Sequence, residues 1–138
     1  MNEILIMGNM NEEDKEILRK EFIIHEANKI VDIEAFLSNQ GDAITAVATT
    51  GFVGISNDLI SLMKNVNIIS SNGVGYDSID ANFCASRNII VTHTPDVLNA
   101  EVANTTLMMF LASDESSFCN GGVYMVDGGT SAAFVPPK

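Results

Sequence analysis

The stretch Val66-Asn67-Ile68-Ile69-Ser70-Ser71-Asn72-Gly73-Val74-Gly75-Tyr76-Asp77 decides the fold. A β-branched run passes straight into a glycine-containing turn, as expected of a strand covered on both faces that ends in a loop. Similar runs stand at Ile4–Met7, Phe22–His25, Ala43–Thr49 and Ile89–His93, and a later one at Val123–Val126. Counting Val66–Ser70, the first five start about 20 residues apart, which leaves room for one helix between neighbours. That spacing predicts repeated βαβ units and a parallel sheet.

The segments between these runs carry helix signals. Asn11-Glu12-Glu13-Asp14 places acids at the positive end of a helix dipole, and Ile17, Leu18 and Phe22 are expected to face the sheet. Asp32 or a neighbour is placed to cap a second helix carrying Ile33, Phe36 and Leu37, which Gly41 stops. Ser56-Asn57-Asp58 precedes a third, and Asp80 caps Ala81–Ser86 before Arg87-Asn88 ends it. The longest helix, Asn99–Ala112, is apolar almost all round in its second half. It is expected to be central or to pack against another subunit.

A chain of 138 residues has the length of one domain, and 46% hydrophobic residues supply a core. The net charge of −11, spread along the whole chain, repels phosphodiester backbones and anionic lipid, so neither nucleic acid nor a membrane surface is an expected partner. A small anion would have to rest on local backbone N–H groups. The longest apolar run, Leu107–Ala112, falls far short of the roughly 20 residues of a membrane-spanning helix. Glu3 stands where a secretory signal has basic residues, so the cytoplasm is the expected compartment. Cys84 and Cys119 lack metal-ligand spacing to each other and to His25 or His93, so free thiols and no metal site are expected.

Three loops follow predicted strands on the side where open α/β sheets place ligands: Thr49–Gly54, Ser70–Asp77 and Thr92–Asp96. In the second, Gly73 and Gly75 let successive backbone N–H groups point together at a carboxylate or phosphate. Gly-x-Gly alone also marks ligand-free turns, and Ser78 stands where a dinucleotide fingerprint has its third glycine. His93 lies at a strand end with no carboxylate placed by sequence to orient it, so local bonding is its plainer role. His25 reads as structural. Asp96 and Glu101 read as helix-start acids, and Tyr76 as a ring packed under the loop.

Thr49-Thr50-Gly51, Asn72-Gly73-Val74-Gly75-Tyr76-Asp77-Ser78-Ile79-Asp80, Ile89-Ile90-Val91-Thr92-His93-Thr94-Pro95-Asp96-Val97-Leu98 and Glu101-Val102-Ala103-Asn104-Thr105-Thr106 resemble, in order and spacing, the substrate-binding domain of the D-isomer-specific 2-hydroxyacid dehydrogenases. The resemblance covers residues 1–112 and implies an α/β, flavodoxin-like parallel sheet in the order 2-1-3-4-5. It also implies that Asn72, Gly73, Val74 and Gly75 hold a substrate carboxylate, and that Thr106 lies beside a nicotinamide dinucleotide when a cofactor domain is present. The family's Rossmann domain, with its catalytic Arg, Glu and His, has no room after Ala112, so no catalytic residue is assigned. Residues 110–130 instead resemble the C-terminal segment of short-chain dehydrogenases, without that family's Tyr-x-x-x-Lys.

The expected organisation is therefore a substrate-binding-type domain over 1–112 and a tail over 113–138, packed on it or swapped between subunits, with Val123–Val126 as an added edge strand. The expected function is a truncated module that retains weak binding of a small 2-keto or 2-hydroxy acid. No cofactor is expected for the chain alone, and NAD only where a partner supplies its domain. A homo-oligomer is the expected physical form. The alternatives are an oxidoreductase completed by a partner or second subunit, and a structural oligomerisation module.

Overall fold

The computed structural model describes residues 2–117. Five strands, β1 (Asn2–Ile6), β2 (Phe22–Glu26), β3 (Ile44–Thr50), β4 (Ile68–Asn72) and β5 (Ile90–Thr92), form one sheet in the order β2-β1-β3-β4-β5. Every pairing is parallel. The helices α1 (Glu12–Arg19), α2 (Ile33–Gln40), α3 (Asn57–Ser61) and α4 (Ala81–Ser86) connect successive strands, and α5 (Asn99–Leu111) follows β5. This is the α/β flavodoxin-like arrangement that the sequence implied. The expected strand at Val123–Val126 and the thiol of Cys119 lie outside the described residues.

The helix starts sit where the side chains dictate. Asn11, Asp32, Ser56 and Asp80 each accept a hydrogen bond from the backbone N–H three residues on, which satisfies a donor that has no partner within the helix. Helix α5 has Leu98 at this position and no side-chain cap. The core joins Leu5, Ile44, Val47 and Ile69 of the sheet to Leu37, Ile60 and Cys84 of the helices and to Met63 just after α3. Burial pushes the Cys84 thiol up, as suits an inert core cysteine.

Two expectations about facing are corrected. Ile17 is 61% exposed, and Lys15 is buried in its place. Lys15 and Leu18 are three apart and share a face, whereas Ile17 lies about 100° round the helix from Leu18. Lys15 Nζ donates to Glu12 and Glu26 at 2.8 Å each, and Lys29 also reaches Glu26 at 2.8 Å. An ion pair thus takes the place of an aliphatic contact under α1. At the other edge of the sheet, Ile90 is 62% exposed although Ile89 is buried. The continuous apolar run does not mark full burial there, because an edge strand has a neighbour on one side only.

The Glu26 network sets an acid dependence. Hydrogen bonds from Lys15 and then Lys29 hold the Glu26 carboxyl at about 2, below its ordinary 4.5. A depressed carboxylate contributes stability above its unfolded value and loses it as pH falls through the folded value. Stability is therefore expected to drop between pH 4.5 and about 2. Thermal unfolding followed by circular dichroism across that window should show a shallower drop in Glu26→Gln. An unchanged slope would show that this network does not titrate with folding.

The chain forms two compact units, Met1–Pro95 and Asp96–Lys138. In the second, α5 buries none of its residues, and Val102, Met108 and Met109 are more than half exposed.

Candidate functional site

The strand order reverses between β1 and β3, which lie side by side with β2 outside them. In open parallel sheets the crevice beyond the C-terminal ends of the strands at such a point is the usual ligand position. A cavity of about 110 Å³ lies there, lined by Met7, Asn9, Asn11, Asp14, Thr49, Thr50 and Asn72 among others. Its α1 side carries Glu12, Glu13 and Asp14 in the first turn, so the helix end offers no positive wall to an anion. Asn72 joins this cavity to the glycine loop after β4.

The two glycine loops touch. A side chain at Gly51 would place its Cβ 2.5 Å from the Gly75 carbonyl oxygen. Gly54, at φ +57°, packs against the backbone of Ser78, and Ile55 bridges to Ile79 beside it. Buried Thr49 donates its hydroxyl to the Gly54 carbonyl at 2.8 Å, and Ser71 does the same to the Gly75 carbonyl at 3.2 Å. The first loop therefore serves as a floor for the second.

The third loop fastens the second from the β5 side. Gly73 donates its N–H to Thr94 Oγ1 at 3.1 Å, and the Thr94 N–H donates to the Gly73 carbonyl at 2.9 Å. His93 Nδ1 lies 2.8 Å from the Val74 carbonyl oxygen. A carbonyl only accepts, so the proton is on Nδ1. Tyr76 packs its ring 4.9 Å from that of His93, centroid to centroid, and is 42% exposed, so it stands beside the loop as well as under it. The N–H groups of Val74 and Gly75 have no hydrogen-bond partner among the described residues. Gly73 takes a φ of +135°, and a Cβ there would meet nothing within 4 Å, so the loop is open on that side.

Asn72, Gly73, Val74 and Gly75 are thus brought together at one sheet end. Thr106 belongs to the Asp96–Lys138 unit, where its hydroxyl donates back along α5 to the Val102 carbonyl at 2.8 Å. His25 hydrogen-bonds Glu3 at 2.6 Å and packs on Phe36, a structural pairing across β1 and β2. Asp80 caps α4 just beyond the loop, and the Phe83 N–H with the Asn57 amide holds its carboxyl below the ordinary range. No group of three His, Cys, Asp or Glu side chains among the described residues is placed to hold a metal. No helix among them is long and apolar enough to cross a membrane.

The same arrangement of strands, with about a third of the residues identical, recurs in known proteins. The family profile described as D-isomer specific 2-hydroxyacid dehydrogenase, catalytic domain, matches residues 4–133. The chain belongs to this family. It is 33% identical over 109 residues to glyoxylate/hydroxypyruvate reductase A HPR2 of Arabidopsis thaliana, covering 79% of this chain and 35% of that protein. It is 31% identical over 106 residues to 2-ketogluconate reductase of Gluconobacter oxydans, covering 77% of this chain and 33% of that one. The structure of the 2-hydroxyacid dehydrogenase from Ketogulonicigenium vulgare Y25 superposes with a TM-score of 0.71 at 35% identity, over 91% of this chain and 43% of that chain. The chain thus spans about a third of the length of these two curated 2-hydroxyacid dehydrogenase-like relatives.

Sequence reasoning singled out the Thr92–Asp96 loop but missed what it does within this dehydrogenase fold. Pro95 and the strand end are visible in the sequence. The bonds from His93 and Thr94 to residues 19 and 21 positions earlier are not.

Proposed function

We propose that residues 1–138 form a module that binds the carboxylate of a small 2-keto or 2-hydroxy acid on the Asn72–Gly75 loop and, by themselves, transfer no hydride. The observation that carries this is the pair of N–H groups at Val74 and Gly75 that have no partner among the described residues, on an open loop at the C-terminal end of the sheet. Successive backbone donors of this kind bind an anion without side-chain charge. An acidic chain supplies little such charge, and Asp77 lies so close that a Cβ on Gly75 would come within 2.9 Å of its Oδ2. Binding by two N–H groups beside a carboxylate is therefore weak.

The described residues carry no dinucleotide fingerprint of their own. The glycine loop has Ser78 at the position of a third fingerprint glycine, and the Thr106 hydroxyl is already bonded within its helix. The module therefore orients a substrate and leaves redox chemistry to a group held elsewhere. The likeness of residues 110–130 to short-chain dehydrogenases belongs to the same proposal, as a tail built for association.

A second reading is favoured by α5. Its exposed Val102, Leu107, Met108, Met109 and Phe110 leave an apolar surface that a second copy or a partner could cover, completing an oxidoreductase site. One experiment separates the readings. The purified chain is incubated with NADH and a panel of 2-keto acids while light scattering after size exclusion reports its mass. The module reading expects no turnover at any concentration. Turnover that rises with the fraction of oligomer would overturn it in favour of the shared site.

A further inference from the structure

The N–H groups of Val74 and Gly75 have no partner among the described residues, but such a donor binds an anion well only when it is held in one direction. We propose that His93 and Thr94 are positioning residues that aim these two N–H groups, an inference that rests on the carboxylate reading above. In a trans peptide unit the C=O and N–H point in opposite directions. No cis peptide bond occurs among the described residues. The Gly73–Val74 unit has its carbonyl fixed by the Thr94 N–H at 2.9 Å, so the Val74 N–H leaves on the side away from residue 94. The Val74–Gly75 unit has its carbonyl fixed by His93 Nδ1–H at 2.8 Å, so the Gly75 N–H leaves on the side away from residue 93.

Because both carbonyls face residues 93 and 94, both N–H groups face the other way together. Thr94 adds a third constraint by accepting the Gly73 N–H on its hydroxyl at 3.1 Å, which removes that donor from the ligand side. Gly73 at φ +135° has no preference of its own for this orientation, so without the clamp the loop samples others. His93 works here through the Val74 carbonyl and needs no contact with the ligand. The Tyr76 ring, 4.9 Å away, limits the rotation of its imidazole.

The test uses the 138-residue chain labelled with ¹⁵N and pyruvate as the probe. His93→Leu removes the donor, and His93→Asn restores one, because the asparagine Nδ2 is attached at the same distance from Cβ as the histidine Nδ1. Thr94→Val and Thr94→Ser form the same contrast at the hydroxyl. In the parent chain pyruvate should shift the Val74 and Gly75 amide resonances. His93→Leu should bind about tenfold more weakly and His93→Asn within about twofold of the parent, the size expected for losing and regaining one ordered hydrogen bond.

Backbone order at Val74 and Gly75 is measured in the same samples without ligand, and should fall in His93→Leu and recover in His93→Asn. Equal pyruvate affinity in His93→Leu and the parent overturns the positioning role. So does equal weakening in Leu and Asn, which marks a general structural effect. If the parent does not bind pyruvate, the carboxylate reading fails. The ligand-free backbone order then decides the clamp, and no difference between Leu and Asn overturns it.

Discussion

Replacing Gly54 by Ala is expected to lower the unfolding midpoint of the Met1–Pro95 unit by roughly 10–25 °C, an effect large enough to threaten folding at physiological temperature. Gly54 has a φ of +57°, a conformation that costs an L-residue about 1 kcal/mol or more. The added methyl would also meet the carbonyl oxygen and Cβ of Ser78. Backbone offers no rotamer for relief, and overpacking of this kind costs roughly 1–3 kcal/mol more. The damage spreads because Gly54 is tied on both sides. Its N–H donates to the Thr50 carbonyl at 2.9 Å, its carbonyl accepts from buried Thr49, and the next N–H, of Ile55, donates to Ser78 at 3.2 Å. Moving Ser78 loosens the bridge between Ile55 and Ile79, both in the core. Circular dichroism during heating measures the shift. A midpoint within a few degrees of the parent would show that this junction is pliable.

Gly51→Val is expected to act on the site more than on the fold. Its Cβ would sit 2.5 Å from the Gly75 carbonyl oxygen and 3.0 Å from the carbonyl carbon, and a valine methyl extends further in the same region. No positive φ is required at Gly51, so the backbone there accepts a side chain. The strain is relieved by moving the loop above it, where Val74 is 39% exposed, at the expense of the hydrogen bonds from His93 and Thr94 that aim the loop. Restoring ordinary contact needs about 1 Å of displacement, and a misplacement of that size costs on the order of a hundredfold where a site depends on orientation. Loss of pyruvate-induced shifts at Val74 and Gly75, with an unfolding midpoint lowered less than in Gly54→Ala, is the expected result. Unchanged binding in Gly51→Val would mean that the Gly75 carbonyl is not part of the geometry that holds the ligand.

Both glycines could be picked out in the sequence as turn formers, but their different roles could not. Gly51 and Gly54 belong to one hexapeptide, Thr49–Gly54, and nothing local separates a glycine needed for its own conformation from one needed for its neighbour's approach. The same limit applies to α1. An apolar Ile17 beside Leu18 suggests a contact with the sheet, yet the partner on β2 is the carboxylate of Glu26, and a lysine three residues before Leu18 takes the buried place. Helix α5 shows the converse. Its composition calls for cover from within the chain or from another subunit, and none of its residues is buried.

The sequence by itself determined the parallel α/β class, where four of the helices start, the positions of three loops at strand ends and the resemblance that the family match supports. These follow from local chemistry: the spacing of apolar runs, side chains that accept from the first helical turn, and glycines where the chain turns. The tertiary structure alone decided which N–H groups of the Asn72–Gly75 loop have no partner among the described residues. Gly73 is engaged by Thr94 and the Val74 carbonyl by His93, across separations of 21 and 19 residues. A donor's availability depends on every acceptor that folding brings within reach, and no local pattern encodes that count.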